Sequence, residues 1–92
     1  MSIVIVGGNE CMTRRYINLC NEFKCKAKVY PKAAGGLKNI GRPDLLVLFT
    51  DTVSHKMVRC ALNGAKGGHT KITRSHSSSM SALKEILEEY TA

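Results

Sequence analysis

The chain has 92 residues, enough for one domain with a modest core. Its 43% hydrophobic and 23% charged residues exclude collagen, a long coiled coil and a wholly disordered chain. Fourteen Lys and Arg against seven Asp and Glu give a net charge of +7. Such a surface attracts anions: phosphorylated metabolites, nucleotides or nucleic acid. The excess is uneven. Residues 1–75 carry 13 basic and 4 acidic side chains, whereas the last 17 carry Lys84 against Glu85, Glu88 and Glu89. The longest apolar runs, Ile3 to Val6 and Leu45 to Phe49, fall far short of the ~20 residues that span a bilayer. The first residues have neither the basic region nor the apolar stretch of a signal peptide, so a cytoplasmic location and no membrane partner are expected.

In chain order, Ser2 to Val6 predicts a buried strand running into a Gly7-Gly8 turn. Asn9 then suits a helix N-cap, and Met12, Tyr16, Leu19, Cys20 and Phe23 place an apolar stripe on a helix of about 10–24. Lys26 to Tyr30 alternates as a second, less buried strand that Pro31 ends. Residues 31–43 hold both prolines and three glycines, with at most a weak helix between Ala33 and Ile40. Leu45 to Phe49 is the most apolar segment and is expected at the sheet centre. Val53 and Ser54 offer a staple and an N-cap to a helix of about 55–66, which Gly67-Gly68 would close. Thr70 to Thr73 reads as the last strand. Leu83, Ile86, Leu87 and Tyr90 mark a final helix of about 79–90.

Strands alternating with helices predict a single α/β domain over residues 1–92. The expected form is a small three-layer sandwich on a four-stranded parallel sheet, flavodoxin-like or half-Rossmann, in strand order 2-1-3-4. The four cysteines have no Cys-x-x-Cys spacing, so no zinc ribbon is indicated. Cys20 and Cys60 are expected in the core, and Cys11 and Cys25 nearer the surface.

An open parallel sheet binds ligands beyond the carboxyl ends of its strands, where the strand order reverses. Three polar strings lie there: Gly7-Gly8-Asn9-Glu10, Thr50-Asp51-Thr52-Val53-Ser54-His55, and Arg74-Ser75-His76-Ser77-Ser78-Ser79. They are expected to converge on one polar pocket. Gly7-Gly8 resembles a phosphate loop but is not the full G-x-G-x-x-G, and a tight turn also accounts for it. Ser75, Ser77, Ser78 and Ser79 open a helix, where free N–H groups favour an anion, and Arg74 adds a guanidinium fork. One of these serines serves as the cap. His55 reads either as a surface side chain in a first helical turn or as a proton-transfer group beside Asp51 and facing His76. Asp51, His55 and His76 could hold a metal, although no His-x-x-x-His spacing fixes them together.

The strings Thr52-Val53-Ser54-His55-Lys56 and Arg74-Ser75-His76-Ser77-Ser78-Ser79, with Ile3-Val4-Ile5-Val6-Gly7-Gly8 and Arg15-Tyr16, resemble the bacterial family catalogued as domain of unknown function 2325. The resemblance runs over essentially the whole chain. It implies a small α/β domain without one settled activity. It also implies haem and dioxygen binding in some relatives, which here would fall to His55 and Tyr16. A histidine common after the family's Gly-Gly pair is Asn9 in this chain.

The leading expectation is a regulatory or sensing module that binds a small phosphate-containing anion through Gly7, Gly8, Asn9, Asp51, Thr52, Ser54, His55, Arg74 and the serine tract. A haem or metal protein for redox or gas sensing through His55 is the alternative, and a small enzyme on a phosphorylated substrate a further one. Neither G-x-S-x-G nor G-x-x-x-x-G-K-[ST] occurs, which weighs against catalysis. Nucleic acid is admitted by charge but has only five aromatic residues to stack on. Two sheet edges and a small core make a homodimer plausible.

Overall fold

A computed structural model describes residues 1–30, 43–64 and 70–91. The four strands are β1 (Ser2–Val6), β2 (Lys26–Tyr30), β3 (Leu45–Phe49) and β4 (Lys71–Ser75). They form one parallel sheet in the expected order β2-β1-β3-β4. The helices are α1 (Thr13–Glu22), preceded by a 3₁₀ turn at Glu10–Met12, then α2 (His55–Gly64) and α3 (Met80–Thr91). The expected weak helix at 33–40 and the Gly67-Gly68 cap lie outside the described residues.

Side chains alternate across the sheet, so each central strand supplies two cores. Ile3, Ile5, Leu45, Val47 and Phe49 pack under Tyr16 and Cys20 of α1 and Leu83, Ile86 and Leu87 of α3. Among the described residues, Val4, Val6, Leu46 and Leu48 pack with Met57 and Ala61 of α2, and Tyr30, Val53, Val58 and Leu62 close against them. All five residues of β3 are fully buried, as a strand covered on both faces requires.

Among the described residues, α2 is the helix on this face of the sheet. On the α2 side, β4 is left open: Ile72, opposite Leu46, is 42% exposed, and Arg74, opposite Leu48, is also exposed. β4 runs two residues beyond the expected Thr73, because an open edge strand takes polar residues such as Arg74 and Ser75 that carry no apolar alternation.

The caps explain where the helices begin and end. Asn9 Oδ1 accepts from Cys11 N at 2.9 Å, and Ser54 Oγ from Met57 N at 3.3 Å. Ser79 is the serine that caps α3, accepting from Ala82 N at its hydroxyl and from Leu83 N at its carbonyl. α1 ends in a Schellman turn: Cys25 N donates to Cys20 O and Lys24 N to Asn21 O, both at 2.9 Å. Lys24 occupies the left-handed position with φ +59°. A side chain there is strained, so Lys24→Gly is expected to stabilise the fold by about 0.5–1 kcal/mol in urea unfolding. A destabilised variant would show that the lysine stem contributes more than its backbone strain.

The same turn corrects two cysteine expectations. It folds Cys25 back over Cys20, and both are buried, whereas Cys60 lies beside the narrow Met57–Ala61 stripe of α2 and is exposed with Cys11. Burial, with Cys25 adding in the same direction, pushes the Cys20 thiol from 9.0 up to about 12. The unfolded chain ionises this thiol first. Its contribution to stability is therefore intact below pH 9.0 and is lost as the pH rises toward about 12. Iodoacetamide at neutral pH is expected to modify Cys11 and Cys60 quickly, and Cys20 and Cys25 only on unfolding.

Candidate functional site

The crevice between β1 and β3, where the strand order reverses, is closed by the chain itself. Gly7 and Gly8 have φ +95° and +89°. A Cβ on Gly7 would stand 2.5 Å from Val53 Cγ1 and 2.8 Å from Thr52 Oγ1. The amides that a phosphate loop would present are spent internally. Gly7 N donates to Tyr30 O at 2.9 Å, Gly8 N to Thr52 Oγ1 at 2.7 Å and Asn9 N to the Tyr16 hydroxyl at 3.4 Å.

The serine tract is occupied in a similar way. Asp51 Oδ2 accepts from both the N–H and the hydroxyl of Ser78 at 3.2 Å, so a carboxylate already sits just ahead of the α3 N-terminus, where negative charge is favoured. Ser75 Oγ donates to Ser77 O and accepts from Ser77 N, while Ser77 Oγ donates to Ser79 Oγ and accepts from Ser79 N. The buried Tyr16 hydroxyl donates to Ser78 O at 2.6 Å and ties this loop to the first. His76 Nδ1 lies 3.1 Å from Thr50 Oγ1. Among the described residues no group of three or more His, Cys, Asp or Glu stands together. Asp51 bonds Ser78 and His76 bonds Thr50, so the expected Asp51–His55–His76 cluster does not form.

The open concavity is elsewhere. A groove of about 510 Å³ runs between α2 and the uncovered face of β4. Its apolar side is Val53, Val58 and Leu62, each half-buried. Its polar side is His55, Lys56 and Arg59 from α2 and Arg74 from β4, all exposed, with Thr50 at the strand tip. Among the described residues that line it there is no carboxylate.

The expected single pocket is therefore divided. His55 and Arg74 share the groove, while Gly7, Gly8, Thr52, Asp51 and the serines knit the loops together. Strand alternation is the cause: Arg74 follows Leu48 to the α2 side and Ser75 follows Phe49 to the other. Ser54 is spent as the α2 cap. Sequence reasoning missed Lys56, Arg59 and Leu62. His55, Arg59 and Leu62 recur at helical spacing, a signal that one flank of α2 could have given.

The two residues to which the resemblance assigns haem do not fit one group. Tyr16 is buried under α1 with its hydroxyl bonded to Ser78, and His55 lines a groove on the opposite face of the sheet.

No helix among the described residues is long and apolar enough to cross a membrane. No curated protein and no solved structure matches the chain. Residues 2–90 match the family described as "Uncharacterized protein conserved in bacteria (DUF2325)". With nearly its whole length matched, the chain belongs to that bacterial family.

Proposed function

We propose that this domain binds a small, phosphate-containing anion in the groove between α2 and β4, as a regulatory or sensing module. One observation carries the reading. Lys56 and Arg59 on α2 share a concavity with Arg74 on β4 and His55 at the helix start, and no described lining residue offers a carboxylate to neutralise them. A phosphate there is approached by guanidinium groups from two elements, and each charge-assisted bond is worth about 1.5–3 kcal/mol. The apolar side lowers the local dielectric and strengthens those bonds.

The test compares variants under phosphate and pyrophosphate, with thermal stability as the readout of binding. Millimolar anion is expected to raise the midpoint of the wild type. Arg74→Ala and Arg59→Ala are each expected to weaken binding by about 1.5–3 kcal/mol without unfolding the protein, both side chains being exposed. Ser77→Ala, outside the groove, is expected to keep the full response. Loss of the response in Ser77→Ala but not in Arg74→Ala would return the site to the serine tract.

A further inference from the structure

We infer that the ligand of this groove is a phosphate monoester with an aliphatic body, rather than free phosphate or a nucleotide. The inference rests on the anion reading above and narrows it. Free phosphate needs only the polar side of the groove, yet Val53, Val58 and Leu62 are three of its eight described lining residues. These side chains are half-buried, so they keep apolar surface that a ligand can still remove from water. The volume of about 510 Å³ falls in the range of sites that enclose a small organic molecule and is far larger than one phosphate requires.

The lining also says what kind of body fits. Among the described residues it contains no Phe, Tyr or Trp for a nucleobase to stack on. Among the described residues it contains no Asn, Gln, Asp or Glu, so the amino donors of a base find side-chain acceptors only in the Thr50 hydroxyl and the His55 ring. Branched aliphatic side chains instead suit a flexible or branched hydrocarbon skeleton. The dianionic head of a monoester matches several cations better than a single carboxylate does.

The experiment is a calorimetric titration of the intact chain with inorganic phosphate, hexyl phosphate, hexanoate and adenosine monophosphate. Hexyl phosphate is expected to bind about tenfold or more tighter than inorganic phosphate, since half-burying six carbons is sufficient for that ratio. It is also expected to bind more tightly than hexanoate or the nucleotide. Leu62→Ser is expected to erase the gain from the chain while leaving inorganic phosphate binding unchanged, and Arg74→Ala to weaken both phosphates together. If Leu62→Ser does not fold, the wild-type series of ethyl, butyl and hexyl phosphate decides, because affinity must rise with chain length. Equal affinities for hexyl and inorganic phosphate overturn the aliphatic body but leave the anion site standing. A nucleotide or hexanoate that binds best overturns it as well. Binding of none of the four overturns the anion reading itself.

Discussion

Leu48→Ala is expected to cost about 2–5 kcal/mol and to lower the thermal midpoint by roughly 10 °C or more. Leu48 is 0% exposed and belongs to the smaller of the two cores. Among the described residues, Met57 and Ala61 of α2 are the buried helical side chains of that core. A chain of this size holds only a modest margin of stability, so the loss takes most of it. Ile72→Ala on β4 serves as the control. Ile72 lies on the same face of the sheet but is 42% exposed, and its change is expected to fall near 0.5 kcal/mol. Urea unfolding of both variants checks the pair. A cost below about 1 kcal/mol for Leu48→Ala would show that the α2 layer collapses freely onto the sheet.

The difference between Leu48 and Ile72 marks how far the sequence could be read. Continuous apolar runs at Ile3–Val6 and Leu45–Phe49 announce strands covered on both faces, and alternation with helices fixes their order in the sheet. The end of β4 was not legible, because Thr73, Arg74 and Ser75 sit on an edge where no apolar period is needed. The Cys25 position depends on a Schellman turn with a lysine in the left-handed position, and nothing in local composition signals it. Cys60 is expected inside but is exposed, because the stripe of α2 that reaches the sheet buries Met57 and Ala61 among the described residues and Cys60 lies beside it.

The candidate site was legible in part, and the reason is the same. The three loops were correctly placed at the strand tips, but their hydrogen bonds join residues far apart in the chain. Tyr16 meets Ser78 across 62 positions and Asp51 meets Ser78 across 27. No periodicity encodes such pairs. The separation of Arg74 from Ser75 was accessible in principle, since extending β4 by two residues puts them on opposite faces. The serine tract looked like an anion site because its hydroxyls and amides suit one. The Asp51 carboxylate supplies that negative charge from within the chain.

Gly8→Ala distinguishes a packed turn from a phosphate loop. The backbone at Gly8 has φ +89°, where a side chain costs about 1–3 kcal/mol in strain. The added Cβ would stand 2.8 Å from Tyr16 Cε2, 3.2 Å from the Tyr16 hydroxyl and 3.2 Å from Phe49 Cδ2. Neither ring can yield easily. Tyr16 and Phe49 are both fully buried, lie 5.5 Å apart centre to centre, and Tyr16 is anchored to Ser78. Overpacking of this kind adds about 1–3 kcal/mol, so a total loss of roughly 2–6 kcal/mol is expected. The amide geometry predicts the accompanying result. Gly8 N already donates to Thr52, and Gly8 is not among the groove's lining residues, so the variant should keep whatever stabilisation phosphate gives the wild type. A phosphate loop predicts the reverse, a small change in stability with the anion response lost. Urea unfolding of Gly8→Ala with and without phosphate separates the two outcomes in one series.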